Sequence, residues 1–436
     1  MKALEALFAG KVALVGAPES RAEEAAFQKF VAKGGAALRH FAAFSLLGET
    51  LGRTGSEPVP WRRWPSAYRS PQSSAVAHVA AAQSNRLRFF EYLQYLADRQ
   101  LAGAAEQGRE AGLATGLVRD LALGINPDGA DAWMQQDAFA MELRCGAPPD
   151  GFHPHGQEWG VVPLNPLTLH RDYSPFIAPL RASMRYAGGL RIDHVIGLQR
   201  QYLVPVGVES NHGCYVRYPL NELLAILALE SCRHRCLVIG EDLGTVPEGF
   251  RERLRAAGAF GCAILYFERT ADGRFKSPKD YHRQVVASTA THDLPTLVGY
   301  WMGRDIATRQ EAGIYTEAEA RQGQAQRRAD HAALLEALAA AGLDMPLPTA
   351  ASPAAMQRFV EAVHAFLASS SAQLFVAQLD DLLGEPEQIN IPGTASGYPN
   401  WRRKLSVAVE DSKLAEALEL LARINARYRH PHRQSD

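Results

Sequence analysis

Short apolar runs that end in charged residues alternate along the chain with longer segments of helical periodicity. Runs of this kind cover residues 117–124, 189–194, 238–242 and 285–293. Two of them are followed by turn-forming residues, Gly244 and Pro295, which is typical of a strand that ends in a loop. Strands that alternate with helical segments indicate an α/β chain with parallel strands.

Helical periodicity dominates the start of the chain and a long stretch nearer its end. Apolar residues recur at helical spacing over 85–103, within a segment that is mostly helical in pattern. An Ala-rich helical stretch follows later, and 411–427 has an amphipathic pattern. We predict four parts: a helical segment over 1–116, a core of strands and helices over 117–304, a helical insertion over 305–385, and a last strand with a C-terminal helix over 386–436.

The run at 189–194 places two charged side chains in an otherwise apolar strand. Because side chains alternate along a strand, Arg191 and Asp193 share one face, and Leu190 and Ile192 share the other. A cation two residues before a carboxylate favours the ionised form of that carboxylate. An Asp held as an anion suits a nucleophile for covalent glycosyl transfer. The alternative is a structural salt bridge at a strand end.

Two further runs end in acids, at Glu241-Asp242 and at Asp293. Three strands that end in acids, each followed by a helical segment, are the pattern of a (β/α) barrel. In such barrels the active site lies at the carboxyl ends of the strands. The pattern therefore predicts that these acids meet at one face of a barrel.

The motifs around these acids resemble those of a known family. They are LRIDH at 190–194, VIGEDLGTVP at 238–247, ATHDLPT at 290–296, NIPGT at 390–394 and CGAPPDGFHPHGQEWG at 145–160. In this order they are similar to the motifs of the 4-α-glucanotransferases, the amylomaltase branch of the α-amylase superfamily. The resemblance implies an enzyme of carbohydrate metabolism that transfers α-1,4-glucan segments between maltooligosaccharides.

The resemblance also implies roles for the three acids. Retained configuration needs two displacements, by a nucleophile and a proton donor whose carboxyl groups are ~5–5.5 Å apart. Asp193 is expected to be the nucleophile. Glu241 is expected to be the general acid and then the base, with a pKa raised by burial and nearby anions. Asp293 is expected to hold the 2- and 3-hydroxyls of the sugar at the cleavage point.

Residues near the acids are expected to bind substrate. Arg191 would keep Asp193 ionised, and His194 and His292 would contact neighbouring hydroxyls. The remaining predicted binding residues, matched through the family's loops, are Gln157, Trp159, Asp128 and Asn390. The segment 145–166, rich in Gly and Pro, is interpreted as a substrate loop. The alternative is a structural lid whose Trp packs inward.

The resemblance covers the C-terminal part of the family's chain. It therefore implies a (β/α)8 TIM barrel with helical insertions that lacks its first two strands in this chain. Two other functions stay open. One is an α-1,4-glucan hydrolase of the α-amylase superfamily, which would use the same acids. The other is an inactive or glucan-binding fragment.

The composition and charge of the chain bear on its binding partners and its cellular compartment. The 436 residues carry a formal net charge of −1, which gives no electrostatic argument for nucleic acid or an anionic membrane. No apolar run reaches the ~20 residues of a membrane span, and the N-terminus does not resemble a secretory signal. Five scattered cysteines favour reduced thiols and a cytoplasmic protein. Cys232, His234 and Cys236 could suggest a metal site, but packing explains them better, and no metal or other cofactor is implied.

Overall fold

A computed structural model of the chain describes residues 2–13, 18–54, 57–149, 156–349, 351–392, 394 and 397–429. The chain divides into two compact units, residues 1–238 and residues 239–436. The division falls within a strand, Leu237–Gly240.

The described residues form fifteen α-helices. They are α1 Lys2–Ala13, α2 Pro18–Leu51, α3 Ser74–Ala82, α4 Ser84–Glu110, α5 Ala130–Met134, α6 Pro166–Leu169, α7 Ser174–Met184, α8 Leu220–His234, α9 Phe250–Ala256, α10 Leu297–Met302, α11 Arg304–Glu311, α12 Glu317–Ala340, α13 Pro353–Ala368, α14 Leu379–Leu382 and α15 Ser412–Tyr428. The long α2 is interrupted at Gly35, whose φ of 53° is not helical. Four of these helices, α1 to α4, lie within residues 1–116.

Twelve strands are present in the same residues. They are β1 Arg53–Thr54, β2 Glu57–Pro58, β3 Val118–Leu121, β4 Leu143–Ala147, β5 Gln157–Glu158, β6 Gly189–Ile192, β7 Arg200–Pro205, β8 Cys214–Arg217, β9 Leu237–Gly240, β10 Gly261–Ile264, β11 Val285–Ser288 and β12 Leu374–Val376. All four apolar runs of the sequence analysis therefore contain a strand.

In the first unit, parallel and antiparallel strands form separate sheets. β3 and β6 pair in parallel, with Val118 opposite Gly189 and Asp120 opposite Arg191. Just before β6, the backbone at Gly188 lies very close to the backbone at Thr115. A Cβ atom on Gly188 would be 1.4 Å from the carbonyl oxygen of Thr115. Only glycine fits at that position. The antiparallel sheet has the strand order β5-β4-β7-β8.

In the second unit, β10, β11 and β12 form a parallel sheet in that order. All four residues of β11 are buried, as expected for a strand covered on both faces. The end of β9 also lies in this unit, where Ile239 forms a parallel bridge with Phe260. After β11 the chain turns into α10, whose N-terminus is capped by the Thr296 hydroxyl accepting from the Gly299 N–H at 3.1 Å.

Each unit has its own hydrophobic core. In the first unit, α2, α3 and α4 pack with the aromatic loop around Trp61 and Trp64 and with Trp133, all of which are buried. Both tryptophans of this loop therefore serve packing, at 5% and 2% exposure. In the second unit, the largest cluster joins the parallel sheet to α10, α12 and α13 through residues such as Leu334 and Phe359.

Two expectations about elements were wrong. The last strand was placed within 386–436, but the last strand among the described residues is β12, and the part of 386–436 that is described contains none. Pro392, which lacks an N–H, and the surrounding turns do not support strand pairing there. The predicted loop 145–166 contains paired strands, because β4 and β5 pair with Gly146 opposite Glu158. Residues 150–155 of that segment lie outside the described residues.

Candidate active site

In the first unit, the guanidinium of Arg191 lies between two carboxylates. Its Nη1 is 3.0 Å from Oδ1 of Asp193. The same nitrogen donates to both carboxylate oxygens of Asp120, at 2.8 and 2.7 Å. Asp120 meets Arg191 because the two residues are register partners in β3 and β6. One cation therefore compensates two negative charges where these strands end.

His194, the residue after Asp193, contacts the aromatic side chain of segment 145–166. The ring centroids of His194 and Trp159 are 5.1 Å apart in an edge-to-face arrangement. The indole N–H of Trp159 donates to Oε1 of Gln157 at 3.3 Å. Burial lowers the pKa of His194 to about 4, so its imidazole is neutral at pH 7. The first unit thus brings Gln157 and Trp159 to the strand end that carries Asp193.

Asp128 has a different partner from the one expected of a sugar ligand. It lies in the loop after β3 and forms an ion pair with Arg62, with Nη2 and Oδ1 2.9 Å apart. Arg62 also donates to the carbonyl oxygen of Pro127 at 2.7 Å. Asp128 therefore joins the aromatic loop to the loop after β3, and its proposed contact with sugar stays a prediction.

In the second unit, two adjacent acids follow β9 in different surroundings. Glu241 is buried, and its Oε1 accepts a hydrogen bond from the N–H of Leu243 at 2.7 Å. Asp242 is buried as well, and both of its oxygens are engaged. Oδ2 accepts from Nε of Arg251 at 2.7 Å, and Oδ1 accepts from the N–H of Cys262 at 2.8 Å. Asp242 is therefore a structural residue that fixes the start of β10.

Three of the predicted site residues meet in the second unit. Oδ1 of Asp293 accepts a hydrogen bond from the side-chain amide of Asn390 at 2.6 Å. Oδ2 of Asp293 lies 3.4 Å from Nε2 of His292. The motif that contains Asn390 is thus brought to the motif that contains His292 and Asp293, although 97 positions separate Asn390 from Asp293.

The buried carboxyl group of Asp381 binds both ends of the segment that carries His292 and Asp293. Oδ2 of Asp381 accepts from the Thr289 hydroxyl at 2.5 Å, and Oδ1 accepts from the N–H of Leu297 at 2.6 Å. Thr289 directly follows β11 and Leu297 begins α10, so one side chain ties both ends of this segment. Burial raises the pKa of Asp381 to about 6.

Three side chains of these surroundings were not predicted from the sequence: Asp120, Asp381 and Trp401, whose ring centroid lies 5.0 Å from that of His292. A signal for Asp120 was present, since it is an acid in the apolar run 117–124, and parallel pairing with β6 can set it opposite Arg191. Asp381 and Trp401 come from distant parts of the chain, and neither periodicity nor a matched motif indicates their contacts with the segment around Asp293.

Neither metal-binding clusters nor membrane-spanning helices occur in the described part of the chain. No group of three or more His, Cys, Asp or Glu side chains there could hold a metal ion. No helix there is long and apolar enough to cross a membrane. All five cysteines are described, and none forms a disulfide. Nδ1 of His234, considered above with Cys232 and Cys236, lies 2.9 Å from the carbonyl oxygen of Glu230.

Comparison with known proteins decides the family. Residues 1–409 match the glycoside hydrolase family 77, described as 4-alpha-glucanotransferase. The chain belongs to this family. Curated 4-alpha-glucanotransferases similar to it include that of Mycobacterium tuberculosis, which is 38% identical over 397 residues, 89% of this chain and 53% of the relative. The one from Haemophilus influenzae is 37% identical over 354 residues, 80% of this chain and 50% of the relative.

Solved structures place this member of the 4-alpha-glucanotransferase family among the α/β folds. It resembles the amylomaltase from Corynebacterium glutamicum with a TM-score of 0.82 at 30% identity, over 97% of this chain and 58% of that one. An amylomaltase from Streptococcus agalactiae in complex with acarbose gives a TM-score of 0.73 at 20% identity, over 94% and 76%, and shows likeness of fold alone. The chain spans about half the length of the curated relatives it matches.

The buried carboxyl group of Asp381 predicts a pH-dependent loss of stability. Its pKa in the folded protein is about 6, against an ordinary value of 3.8, so the folded state binds its proton more tightly. The protonated Asp381 therefore contributes stability to the fold that is fully present below pH 4 and is lost as pH rises through 6. Asp381→Asn does not titrate. We expect the free energy of unfolding of the variant, relative to the wild type, to increase by about 3 kcal/mol between pH 4 and pH 7.5.

Urea unfolding of both proteins at the two pH values measures this difference, and all other titrating groups cancel in the comparison. Thr289→Val supplies a second check. It removes a hydrogen bond that favours the charged form of Asp381, so it should destabilise the protein more at pH 7.5 than at pH 4. A difference between wild type and Asp381→Asn that does not change with pH would contradict the assignment.

Proposed function

We propose that this protein is a 4-α-glucanotransferase, which moves α-1,4-glucan segments between maltooligosaccharides with retention of configuration. The observation that carries the proposal is the ion pair of Arg191 and Asp193 at the end of a parallel strand, in a member of this family. A carboxylate 3.0 Å from a guanidinium is available as an anion for attack on a sugar carbon.

In the first step, Asp193 attacks the anomeric carbon of the donor, and the glycosidic bond breaks. Glu241 gives its proton to the leaving oxygen, so that the departing chain leaves as a neutral alcohol. The electron pair of the broken bond goes to that oxygen, and the glucosyl unit becomes an ester of Asp193. Arg191 balances the negative charge of Asp193 before the attack.

In the second step, a hydroxyl group of an acceptor sugar attacks the same carbon. Glu241, now a carboxylate, takes the proton of that hydroxyl, and the ester bond to Asp193 breaks. Two inversions give net retention. Burial of Glu241 suits a group that must hold a proton at the start of the cycle and recover it at the end.

Asp293 and its neighbours are proposed to hold the sugar at the cleavage point. The carboxylate would accept hydrogen bonds from the 2- and 3-hydroxyls, bonds that strengthen as the ring flattens. Asn390 donates to Asp293 and so orients this carboxylate. His292 and His194, whose imidazole is neutral at pH 7, are proposed to contact neighbouring hydroxyls of that sugar.

The other predicted substrate contacts lie in the first unit. Trp159 offers a flat apolar face, and Gln157 offers an amide next to it. Asp128 is proposed to bind sugar through the carboxylate that now pairs with Arg62. The partners of the protein are therefore maltooligosaccharides and other α-1,4-glucans.

We also propose the finer architecture and the location. The parallel pairs β3–β6 and β10–β11–β12 support a (β/α)8 barrel with helical insertions, whose catalytic acids follow the carboxyl ends of strands. Five cysteines without a disulfide support a reducing compartment, which is the cytoplasm.

Maltotriose separates transfer from hydrolysis. We expect the purified protein to convert maltotriose into glucose and chains longer than maltotriose, because an acceptor sugar rather than water resolves the intermediate. Chromatography of the products over time measures both classes. As the control, Asp193→Asn should reduce transfer by more than roughly three orders of magnitude while the protein stays folded, because the displacement loses its nucleophile.

Products limited to glucose and maltose would instead identify a hydrolase. Maltooligosaccharide binding without turnover would identify a glucan-binding protein. Near-normal transfer by Asp193→Asn would contradict the assignment of the nucleophile.

Glu241→Gln tests the proton donor through the leaving group. A maltooligosaccharide leaves as an alkoxide unless it is protonated, whereas a glucosyl fluoride leaves as fluoride and needs little help from an acid. We expect the variant to lose transfer from maltotriose by about a thousandfold or more, and to form the glucosyl ester from α-glucosyl fluoride with a much smaller loss. Stopped-flow release of fluoride measures that first step. Equal losses with the two donors would show that Glu241 is not the acid.

A further inference from the structure

Trp401 differs from most tryptophans of this protein. Of the six tryptophans, four are buried in the cores and are at most 8% exposed: Trp61, Trp64, Trp133 and Trp301. Trp401 is 63% exposed. Its large apolar ring therefore gains little from burial within the described structure, and packing does not account for it.

The backbone of Trp401 is also strained. Its φ is 62°, in the left-handed region that glycine adopts easily and that bulky residues rarely adopt. Strain of this kind persists where the surrounding structure holds it, and it is concentrated at functional sites. Glycine would form this turn without strain. The presence of an exposed tryptophan therefore needs a reason other than the turn itself.

The turn around Trp401 is held by a set of hydrogen bonds within the second unit. The N–H of Trp401 donates to the carbonyl oxygen of Ile389 at 3.1 Å. The side chain of Asn400 accepts from the N–H of Ile391 at 2.9 Å and donates to both the carbonyl and the hydroxyl of Thr394 at 2.8 Å. Arg403 pairs with Asp380 on α14. These contacts hold the backbone of the turn that carries Trp401.

That place is beside the proposed sugar-binding acid. The ring centroids of Trp401 and His292 are 5.0 Å apart, at an interplanar angle of 50°. His292 in turn lies 3.4 Å from Asp293, and Asn390 reaches the other oxygen of the same carboxylate. Trp401 is therefore one side chain removed from the carboxylate proposed to hold the sugar at the cleavage point.

We propose that Trp401 is a stacking platform for the glucosyl unit next to the one that Asp293 holds. The inference rests on the proposed function and adds a substrate-binding residue to it. A glucose ring presents C–H groups on its faces and hydroxyl groups at its rim. An exposed indole on a backbone held in this way can cover such a face while the hydroxyls stay in water or reach polar groups such as His292. The strain at Trp401 is then retained for the position of the ring.

Three variants of Trp401 and one control variant distinguish a sugar-stacking role of this residue from a purely structural one. Trp401→Ala removes the ring and keeps the strained backbone. Trp401→Gly removes the ring and relieves the strain, and Trp401→Phe keeps an aromatic face. Leu418→Ala truncates an apolar side chain of comparable exposure, 52%, on the surface of α15. Maltoheptaose is the probe, measured by titration calorimetry and as the substrate in transfer kinetics.

We expect Trp401→Ala and Trp401→Gly to bind maltoheptaose about tenfold more weakly, equivalent to about 1.4 kcal/mol. The kinetic loss should be greater in KM than in kcat. Trp401→Phe should recover affinity to within about threefold of the wild type, and Leu418→Ala should match the wild type. Trp401→Gly should melt at a higher temperature than Trp401→Ala, because glycine adopts this φ without strain.

Affinity within twofold of the wild type in Trp401→Ala would overturn the inference. So would a folded Trp401→Phe that binds as weakly as Trp401→Ala, because an aromatic face would then not be the feature that matters. Failure of the wild-type protein to bind maltoheptaose or to transfer glucose would contradict the proposed function itself, and this inference with it.

Discussion

The acids at the strand ends of this protein are held by donors of their own unit, because a buried or half-buried carboxylate is costly without them. The structure meets this constraint separately within each unit. Asp193 and Asp120 share the guanidinium of Arg191. Asp242 uses Arg251 and a backbone N–H. The placement of these donors determines which acids have both oxygens bonded within the protein and which have an oxygen that can meet a substrate.

This constraint divides the acids by their surroundings. Asp242 and Asp381 are buried, and both of their oxygens accept hydrogen bonds from the protein, so they serve the architecture. Asp193 and Asp293 are partly exposed, with side-chain exposures of 36% and 37%, and each contacts a polar partner from its own unit. Partial exposure beside a fixed partner suits a carboxylate that must also meet a substrate.

The sequence was most informative where local pattern and motif coincide. The strand that carries Arg191 and Asp193 followed from alternation, and its parallel neighbour 117–124 from its apolar run. The family resemblance gave Asn390 as a substrate-binding residue, but its contact with Asp293 was not predicted, since 97 positions separate the two residues. The hydrogen bonds of Asp381 to Thr289 and Leu297 and the left-handed backbone of Trp401 were not predicted, because both depend on contacts between distant segments. The last strand was misplaced for a related reason: β12 is three residues long, too short for alternation to reveal.

The central claim is that Asp193 forms a covalent ester with the transferred sugar. A 5-fluoro-α-glucosyl fluoride tests it directly, because fluoride leaves readily in the first step while the ring fluorine slows the second, so the ester accumulates. Digestion and mass spectrometry of the labelled protein then locate the sugar. We predict one fluoroglucosyl group on the peptide that contains Asp193, and its loss in Asp193→Asn. A label on another residue, or turnover of maltotriose by a protein that never becomes labelled, would contradict the account.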